Sequence, residues 1–178
     1  MDSAEEKLED EYIKMMKELE NLKWTYIAIP TVETDGKVDD VASWIKSCRQ
    51  NKKLFKAVLP NCSFDCEGVV NVTSSLICGE STYTPEQCCA RVAGLIAGTA
   101  LTISCTYAPI IEATDCSVVE DIDAAVSRGE FIFVNDGEKV KVVRGVNSFV
   151  TTTDTKGDQF KKIKIVEVMD MIADDIRT

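Results

Sequence analysis

The sequence predicts an α/β fold, with a mixed sheet built around a βαβ unit, flanking helices and a β-hairpin. Two runs rich in β-forming residues, 24–29 (WTYIAI) and 54–59 (LFKAVL), enclose a stretch whose apolar residues have helical spacing. A strand, a helix and a strand of these lengths form a βαβ unit, which implies parallel strands and a right-handed crossover. The hairpin is indicated by Asp136-Gly137 between two alternating runs.

Residues 1–22 predict a leading helix with one apolar stripe on an otherwise charged surface. Ser3 is placed to cap this helix, and Glu6 completes the spacing of a capping box. The stripe consists of Leu8, Tyr12, Met15, Leu19 and Leu22. It predicts packing against the rest of the fold. A coiled coil is the alternative, although two heptads are short for one.

The boundaries of the βαβ unit are marked by turn and proline signals. Pro30 ends the first strand, and the turn TVETDGK follows it. The helix is predicted from Val38 to about Asn51, and Pro60 stops the second strand.

Two short strands are predicted at 68–72 and 75–78, after the βαβ unit. A helix follows them, because Thr84 is a good capping residue and Pro85 fits the first helical turn. Its later part is rich in alanine and glycine, which allow close packing against a sheet.

The uncharged run 92–111 has the length of a membrane span. It contains threonines, a serine and Pro109, and it lacks flanking basic clusters. We therefore interpret it as a buried helix that stops near Thr102, followed by a loop or strand, and we expect no membrane insertion.

A further helix is predicted to start at Asp115 or Ser117 and to end at 128–129, where arginine and glycine form a stop signal. The hairpin covers 130–144, with Asn-Asp-Gly as its turn. One more strand is predicted at 146–151.

The last segment carries two patterns. Residues 161–168 alternate like a strand, whereas the apolar residues from Ile165 onward have helical spacing. We interpret this as a short extended segment that leads into a helix. No stop signal follows in DDIRT, so we expect the chain to be a piece of a longer protein.

The composition excludes several classes of function. The net charge of −10 disfavours a nucleic-acid partner, because phosphate binding depends on clustered Lys and Arg. The absence of histidine removes the usual general base and the commonest zinc ligand. One basic cluster, Lys161, Lys162 and Lys164, either meets an acidic patch on a neighbouring copy or is simply exposed.

The cysteines are predicted to be reduced, buried residues rather than ligands. The acidic N-terminus does not resemble a secretory signal, so the thiols are expected to stay reduced. None of their spacings is the paired two-residue gap of a zinc ribbon or a redox motif. The eight cysteines are Cys48, Cys62, Cys66, Cys78, Cys88, Cys89, Cys105 and Cys116.

Two other patterns have structural explanations. Gly94 and Gly98 are predicted to lie inside a helix, whereas a phosphate-binding turn follows a strand. Asp35, Asp39 and Asp40 fall near the end of the first strand, where open α/β sheets bind ligands, but they also suit a helix-capping turn. We predict no catalytic, cofactor-binding or metal-binding residue.

From Trp24 onward the sequence resembles the tail sheath protein of contractile-tailed bacteriophages, especially the short type of Gram-positive phages and prophage-derived particles. The segments LKWTYIAIPT, FKAVLPN with EGVVNV, and TPEQCCARVAGLIAGTALTISCTY carry part of the resemblance. The most specific segment is the closing block, in which GEFIF, a hairpin, RGVNSFVT and MDMIADDI follow in order. Residues 3–22 are weakly diagnostic.

The resemblance implies a structural, non-enzymatic subunit with a subtilisin-like sheet that lacks catalytic residues. Such subunits polymerise around the inner tail tube, and the sheath contracts when the baseplate triggers it, without nucleotide hydrolysis. The implied partners are other copies of the chain, the tube and the baseplate, and the implied location is the virion tail, assembled in the bacterial host cytoplasm. The alternative function is a small α/β ligand- or nucleotide-binding domain.

The resemblance also implies a domain division. Residues 1–157 correspond to the α/β core, with 1–22 as the leading helix, and 158–178 to the start of a C-terminal domain. The terminal arms that add strands to neighbouring subunits in the family are not recognised in this sequence. We therefore expect the chain to be a core fragment.

Overall fold

The computed structural model describes residues 3–177, with side chains from residue 5 onward. The helices are α1 (Ser3–Leu19), α2 (Val38–Gln50), α3 (Pro85–Gly98), α4 (Ile122–Ser127) and α5 (Ile163–Arg177). The strands are β1 (Tyr26–Ile27), β2 (Lys56–Pro60), β3 (Val69–Val72), β4 (Leu76–Cys78), β5 (Ser81–Tyr83), β6 (Asp115–Cys116), β7 (Glu130–Phe131), β8 (Phe133–Asn135) and β9 (Val140–Val142). A 3₁₀ turn, Asp158–Lys161, precedes α5.

The main sheet has the strand order β1-β2-β3-β7, and each of its pairings is parallel. The α/β class and the predicted βαβ unit are confirmed, because α2 connects the parallel strands β1 and β2. Antiparallel pairing is found in two smaller sheets, β5-β4-β6 and β8-β9.

Strand β2 lies at the centre of the core and is buried along its whole length. Ala57 and Leu59 pack into the apolar cluster that contains α2, whereas Val58 packs into the cluster that contains α3. Successive side chains of a strand point to opposite faces, so helices cover both faces of the sheet. This burial explains why residues 57–60 of β2 form a continuous apolar run rather than an alternating one.

Helix α1 packs through its predicted stripe, beginning with Leu8, Tyr12 and Met15, which contact the cluster around α2. Leu22 differs from the prediction, because the helix ends at Leu19 and Leu22 is 61% exposed beyond it. The cap predicted at Ser3 lies outside the described side chains.

The capping box at the start of α3 is confirmed. The Thr84 side chain accepts a hydrogen bond from Gln87 N, and Gln87 Oε1 accepts one from Thr84 N. The helix ends at Gly98, earlier than the predicted end near Thr102, because Thr99 has an extended backbone. Over residues 3–177, no helix is long and apolar enough to cross a membrane.

The first strand is much shorter than predicted. Only Tyr26–Ile27 pair with β2, because Trp24 stacks on Phe55 with ring centroids 4.0 Å apart and donates its indole N–H to Leu19 O. Side-chain packing rather than strand pairing therefore fixes the start of the predicted run.

The helix predicted from Asp115 or Ser117 starts later. Asp115 and Cys116 form strand β6, which pairs with β4, and the helix begins only at Ile122. Asp121 is the N-cap residue, since its carboxylate accepts a hydrogen bond from Ala124 N. The predicted end is confirmed, with Arg128 as the C-cap residue.

The hairpin is confirmed, but its predicted first strand, 130–134, is divided between two sheets. Glu130–Phe131 join the main sheet beside β3, whereas β8 pairs with β9. Asn135 belongs to strand β8 rather than to the turn, and the turn is closed by a hydrogen bond from Asp136 N to Lys139 O. Gly137 has a φ of +92°, a backbone conformation that would be strained in a residue with a side chain.

The strand predicted at 146–151 is wrong, because only Val146 forms an isolated bridge, with Lys162, and single backbone and side-chain hydrogen bonds hold the rest of the segment. Ser148 Oγ donates to Phe64 O at 2.5 Å, and Val150 N donates to Asp65 Oδ1 at 2.7 Å. The extended segment predicted before α5 is reduced to Lys162, which has an extended backbone and forms a bridge with Val146, because the 3₁₀ turn takes up the residues before it. The domain division at residue 157 stays a prediction.

Candidate functional site

The acidic residues noted at the end of the first strand do not form a ligand site. Asp35 Oδ2 accepts hydrogen bonds from the hydroxyls of Tyr12 and Thr31, both at 2.7 Å, and Asp40 pairs with Lys37 at 3.1 Å. Burial and the bond to Asp35 raise the pKa of Tyr12 to about 12. Among the described residues, no group of three His, Cys, Asp or Glu side chains could hold a metal ion.

The thiols are mostly core residues. Seven cysteines are buried and Cys78 is partly exposed, and each of the eight is a free thiol. Burial raises the pKa of Cys48, Cys62 and Cys105 to about 11. These thiols therefore stay protonated at neutral pH, and a protonated thiol is a poor nucleophile and a poor metal ligand.

Buried charges attach α5 to the rest of the fold. Asp170 accepts two hydrogen bonds from the Arg49 guanidinium, at 2.9 and 3.0 Å, and one from Lys56 Nζ at 2.6 Å. All three side chains are at most 12% exposed. Since Arg49 lies in α2 and Lys56 in β2, Asp170 joins α5 to both elements.

Glu67 extends this set of contacts. Its Oε1 accepts hydrogen bonds from Lys156 Nζ at 2.9 Å and from Arg49 Nε at 3.4 Å. Burial alone would raise the pKa of Glu67. The hydrogen bond from Lys156 and the charge of Arg49 lower the pKa by more than burial raises it, so the pKa lies below its usual value. We call Arg49, Lys56, Glu67, Lys156 and Asp170 the ion network.

A second set of polar contacts lies one turn earlier on α5. The Tyr26 hydroxyl donates to Glu167 Oε1 at 3.0 Å, and Lys164 Nζ forms an ion pair with Glu167 Oε2 at 2.5 Å. Burial and the Glu167 charge raise the pKa of Tyr26. Lys164 also donates to Thr99 O at 3.3 Å, just beyond α3.

These contacts hold α5 in place, and they contain no pairing of a nucleophile with a base. Helix α5 buries only Ile163, Val166 and Glu167, so charged groups carry much of its attachment. Its other face leaves four apolar side chains 41–81% exposed: Met169, Met171, Ile172 and Ile176.

The ion network was not predicted from the sequence. Two signals for it were present: Lys56 is the one charged residue in the run LFKAVL, and charged residues recur at intervals of three at Lys164, Glu167 and Asp170. The basic cluster was identified, and all three lysines line one cavity of about 550 Å³ beside β7.

Comparison with known proteins gives one consistent family. A sequence profile for the phage tail sheath protein central domain matches residues 7–148. The tail sheath protein of Clostridium phage phiCD119 is 35% identical over 166 residues, which cover 92% of this chain and 46% of that protein.

Solved structures agree with this similarity. The sheath tail protein of Desulfitobacterium hafniense superposes with a TM-score of 0.86 at 30% identity, covering 93% of this chain and 41% of that one. The sheath tail protein of Listeria innocua gives a TM-score of 0.85 at 27% identity, with coverage of 92% and 39%. The chain thus spans less than half the length of these relatives.

Proposed function

The chain belongs to the phage tail sheath protein family, and we propose that it provides the α/β core of a sheath subunit in a contractile phage or phage-derived tail. The observation that carries this proposal is the superposition on a sheath tail protein over 93% of the chain at 30% identity. Fold and sequence therefore agree over nearly the same residues.

In this role the chain is a structural subunit and not an enzyme. Its proposed partners are other sheath copies, the inner tail tube and the baseplate, and its place is the virion tail, assembled in the bacterial host cytoplasm. The absence of histidine and the raised pKa of the buried thiols support a role without catalysis. A contractile sheath stores energy in its extended lattice, so no nucleotide is required.

The fold suits a subunit that transmits force. Helices cover both faces of the main sheet, and the ion network joins α5 to α2 and β2. Close-packed interiors of this kind deform little under load. We also propose that α5 belongs to a second structural unit that begins near residue 158 and rests on the core through the ion network.

The alternative of a nucleotide-binding domain is not favoured. Gly94 and Gly98 lie inside α3, so they do not form a phosphate-binding turn after a strand. Asp35, in the turn after β1, accepts hydrogen bonds from the hydroxyls of Tyr12 and Thr31. Its carboxylate is therefore engaged within the chain.

Immunogold labelling of purified tails tests the proposal. Antibodies raised against this chain should label intact particles along the whole tail, and the labelled region should shorten when the tails contract. Labelling confined to one end of the tail, or absent from particles whose other proteins are labelled, would contradict a sheath role.

A further inference from the structure

We propose that the cavity beside β7 receives the acidic surface of helix α1 from a second copy of this chain, an inference that rests on the proposed function. Four cationic side chains line this cavity, together with one carboxylate, that of Asp158. The cations are Arg144, Lys161, Lys162 and Lys164. We call it the basic cavity, and its charge is opposite to the net charge of −10 of the whole chain.

Two of the four cations lack a carboxylate partner within the described chain. Lys164 pairs with Glu167 at 2.5 Å, and Lys161 pairs with Asp158 at 2.8 Å. Arg144 and Lys162 are exposed, and Arg144 lies 5.7 Å above the Tyr107 ring. No described residue forms an ion pair with either of them, so the cavity presents positive charge to a partner.

Hydroxyl groups in the basic cavity also favour an acceptor as the occupant. Thr106 Oγ1 accepts hydrogen bonds from Ser104 Oγ at 3.0 Å and from Gly145 N at 2.9 Å. Its own proton therefore remains available to a ligand. Cations and a hydroxyl donor at one site fit carboxylates, which only accept hydrogen bonds when ionised.

Helix α1 supplies such carboxylates. Its acidic residues are Glu5, Glu6, Glu9, Asp10, Glu11 and Glu18. Glu9 pairs with Lys37, and Glu11 lies 4.0 Å from Lys7. The other four are exposed and have no ion pair to any residue that the structure describes. Glu18 lies beside the exposed Lys14 and Lys17, so the acidic surface is the N-terminal half of α1, residues 5–11.

The two surfaces are formed by different parts of the chain. Helix α1 packs on the apolar cluster around α2, whereas the basic cavity lies beside β7. A contact between them therefore joins different surfaces of two copies. Such heterologous contacts generate rings or helical polymers, which is the geometry that a sheath requires.

Sedimentation equilibrium with charge-reversal variants tests this contact. One variant carries Arg144→Glu and Lys162→Glu in the basic cavity, and the other carries Glu6→Lys and Asp10→Lys on α1. Each variant alone should self-associate at least about tenfold more weakly than the wild type, because like charges then face each other. An equimolar mixture of the two variants should recover wild-type affinity to within about threefold. In the mixture, the cavity of each variant meets a helix α1 of opposite charge on the other variant.

A matched control separates this contact from the effect of net charge. Lys23→Glu with Lys139→Glu changes the net charge by the same amount at exposed positions outside the basic cavity. This control should associate within about threefold of the affinity of the wild type. Carbodiimide cross-linking of isotopically distinct copies should join Lys162 of one copy to acidic residues of α1 in another.

The outcomes that overturn the proposal are distinct. Unchanged association of the cavity variant, failure of the mixture to recover, cross-links from Lys162 to other acidic segments, or a wild type that stays monomeric at millimolar concentration would each contradict the contact. The labelling experiment on tails does not depend on the contact, so failure of the sheath role would be recognised separately.

Discussion

Gly68 lies where the ion network meets the core, and the absence of a side chain decides the geometry there. A Cβ at this position would lie 2.3 Å from Arg49 Cδ and 3.1 Å from Ile45 Cγ2. Arg49 cannot shift freely, because its guanidinium is hydrogen-bonded to Asp170 and Glu67. Gly68 thus allows the Arg49 side chain to pass and reach its carboxylate partners.

We predict that Gly68→Ala lowers the free energy of unfolding by about 2 kcal/mol, through overpacking and a displaced Arg49. Urea denaturation measures this change. The matched control is Gly94→Ala in α3, where a Cβ would meet nothing within 4 Å. That change should be neutral or stabilising by up to about 1 kcal/mol, because alanine favours helix. Equal effects of the two substitutions would contradict the packing described for Gly68.

The cysteines give a second prediction for single residues. Under native conditions Cys78 should react rapidly with iodoacetamide, whereas the other seven thiols are buried and should react slowly. Denaturation without reductant should then yield eight labels by mass spectrometry. Cys78→Ser should remove the rapid phase. Several rapid labels in the native state, or fewer than eight after denaturation, would contradict this assignment.

Among the elements, α5 depends most on charge. Asp170→Asn would leave Arg49 and Lys56 buried with too little negative charge, and breaking buried ion pairs costs about 3–5 kcal/mol. We therefore expect a loss of stability of that order in urea denaturation, together with faster hydrogen exchange throughout α5.

Asp175→Asn is the control for this helix, because Asp175 is exposed on α5 and does not contribute to the ion network. It should change stability by less than about 0.5 kcal/mol. If Asp170→Asn behaves like Asp175→Asn, charge does not attach α5 to the core.

The ion network also predicts a dependence on pH. The pKa of Glu67 is lowered from its usual value of 4.5 in the folded chain. Its stabilising contribution is therefore complete above about pH 5 and is lost as the pH falls through the lowered pKa. Glu67→Gln should make the free energy of unfolding fall less steeply from pH 5 to pH 3 than in the wild type. An identical pH profile would show that Glu67 does not contribute.

Elements with a strong periodic pattern were predicted well from the sequence. Helices α2 and α3 and strands β2 and β3 bury continuous or periodic apolar residues, so their patterns reflect the core directly. Strand β5 was missed because all three of its residues are exposed. The run 146–151 looked like a strand, but isolated hydrogen bonds, such as those from Ser148 and Val150, hold it in place of a continuous strand pairing.

The ion network was harder to predict for a different reason. Asp170 is 121 residues from Arg49 and 114 from Lys56 in the sequence. Pairing across such distances depends on how α5 docks, which local periodicity does not specify. The basic cluster was recognisable because its lysines are close in sequence, although Arg144 joins them only in the folded chain.

The whole molecule is a close-packed α/β body that carries an acidic helix α1 and a basic cavity beside β7. Helices cover both faces of this sheet, and the ion network fixes α5. A body of this kind suits a lattice that rearranges by movement between subunits rather than by refolding within them. The chain's family and its sheath fold support the same view.

Cryo-electron microscopy of tails that contain this protein tests the sheath role most directly. We expect every subunit of the lattice around the tail tube to contain the main sheet with α1, α2 and α3 as described. The fold of this core should be the same in extended and contracted tails, with only its position and orientation changed. A lattice built from a different protein, or a core that refolds on contraction, would contradict the account.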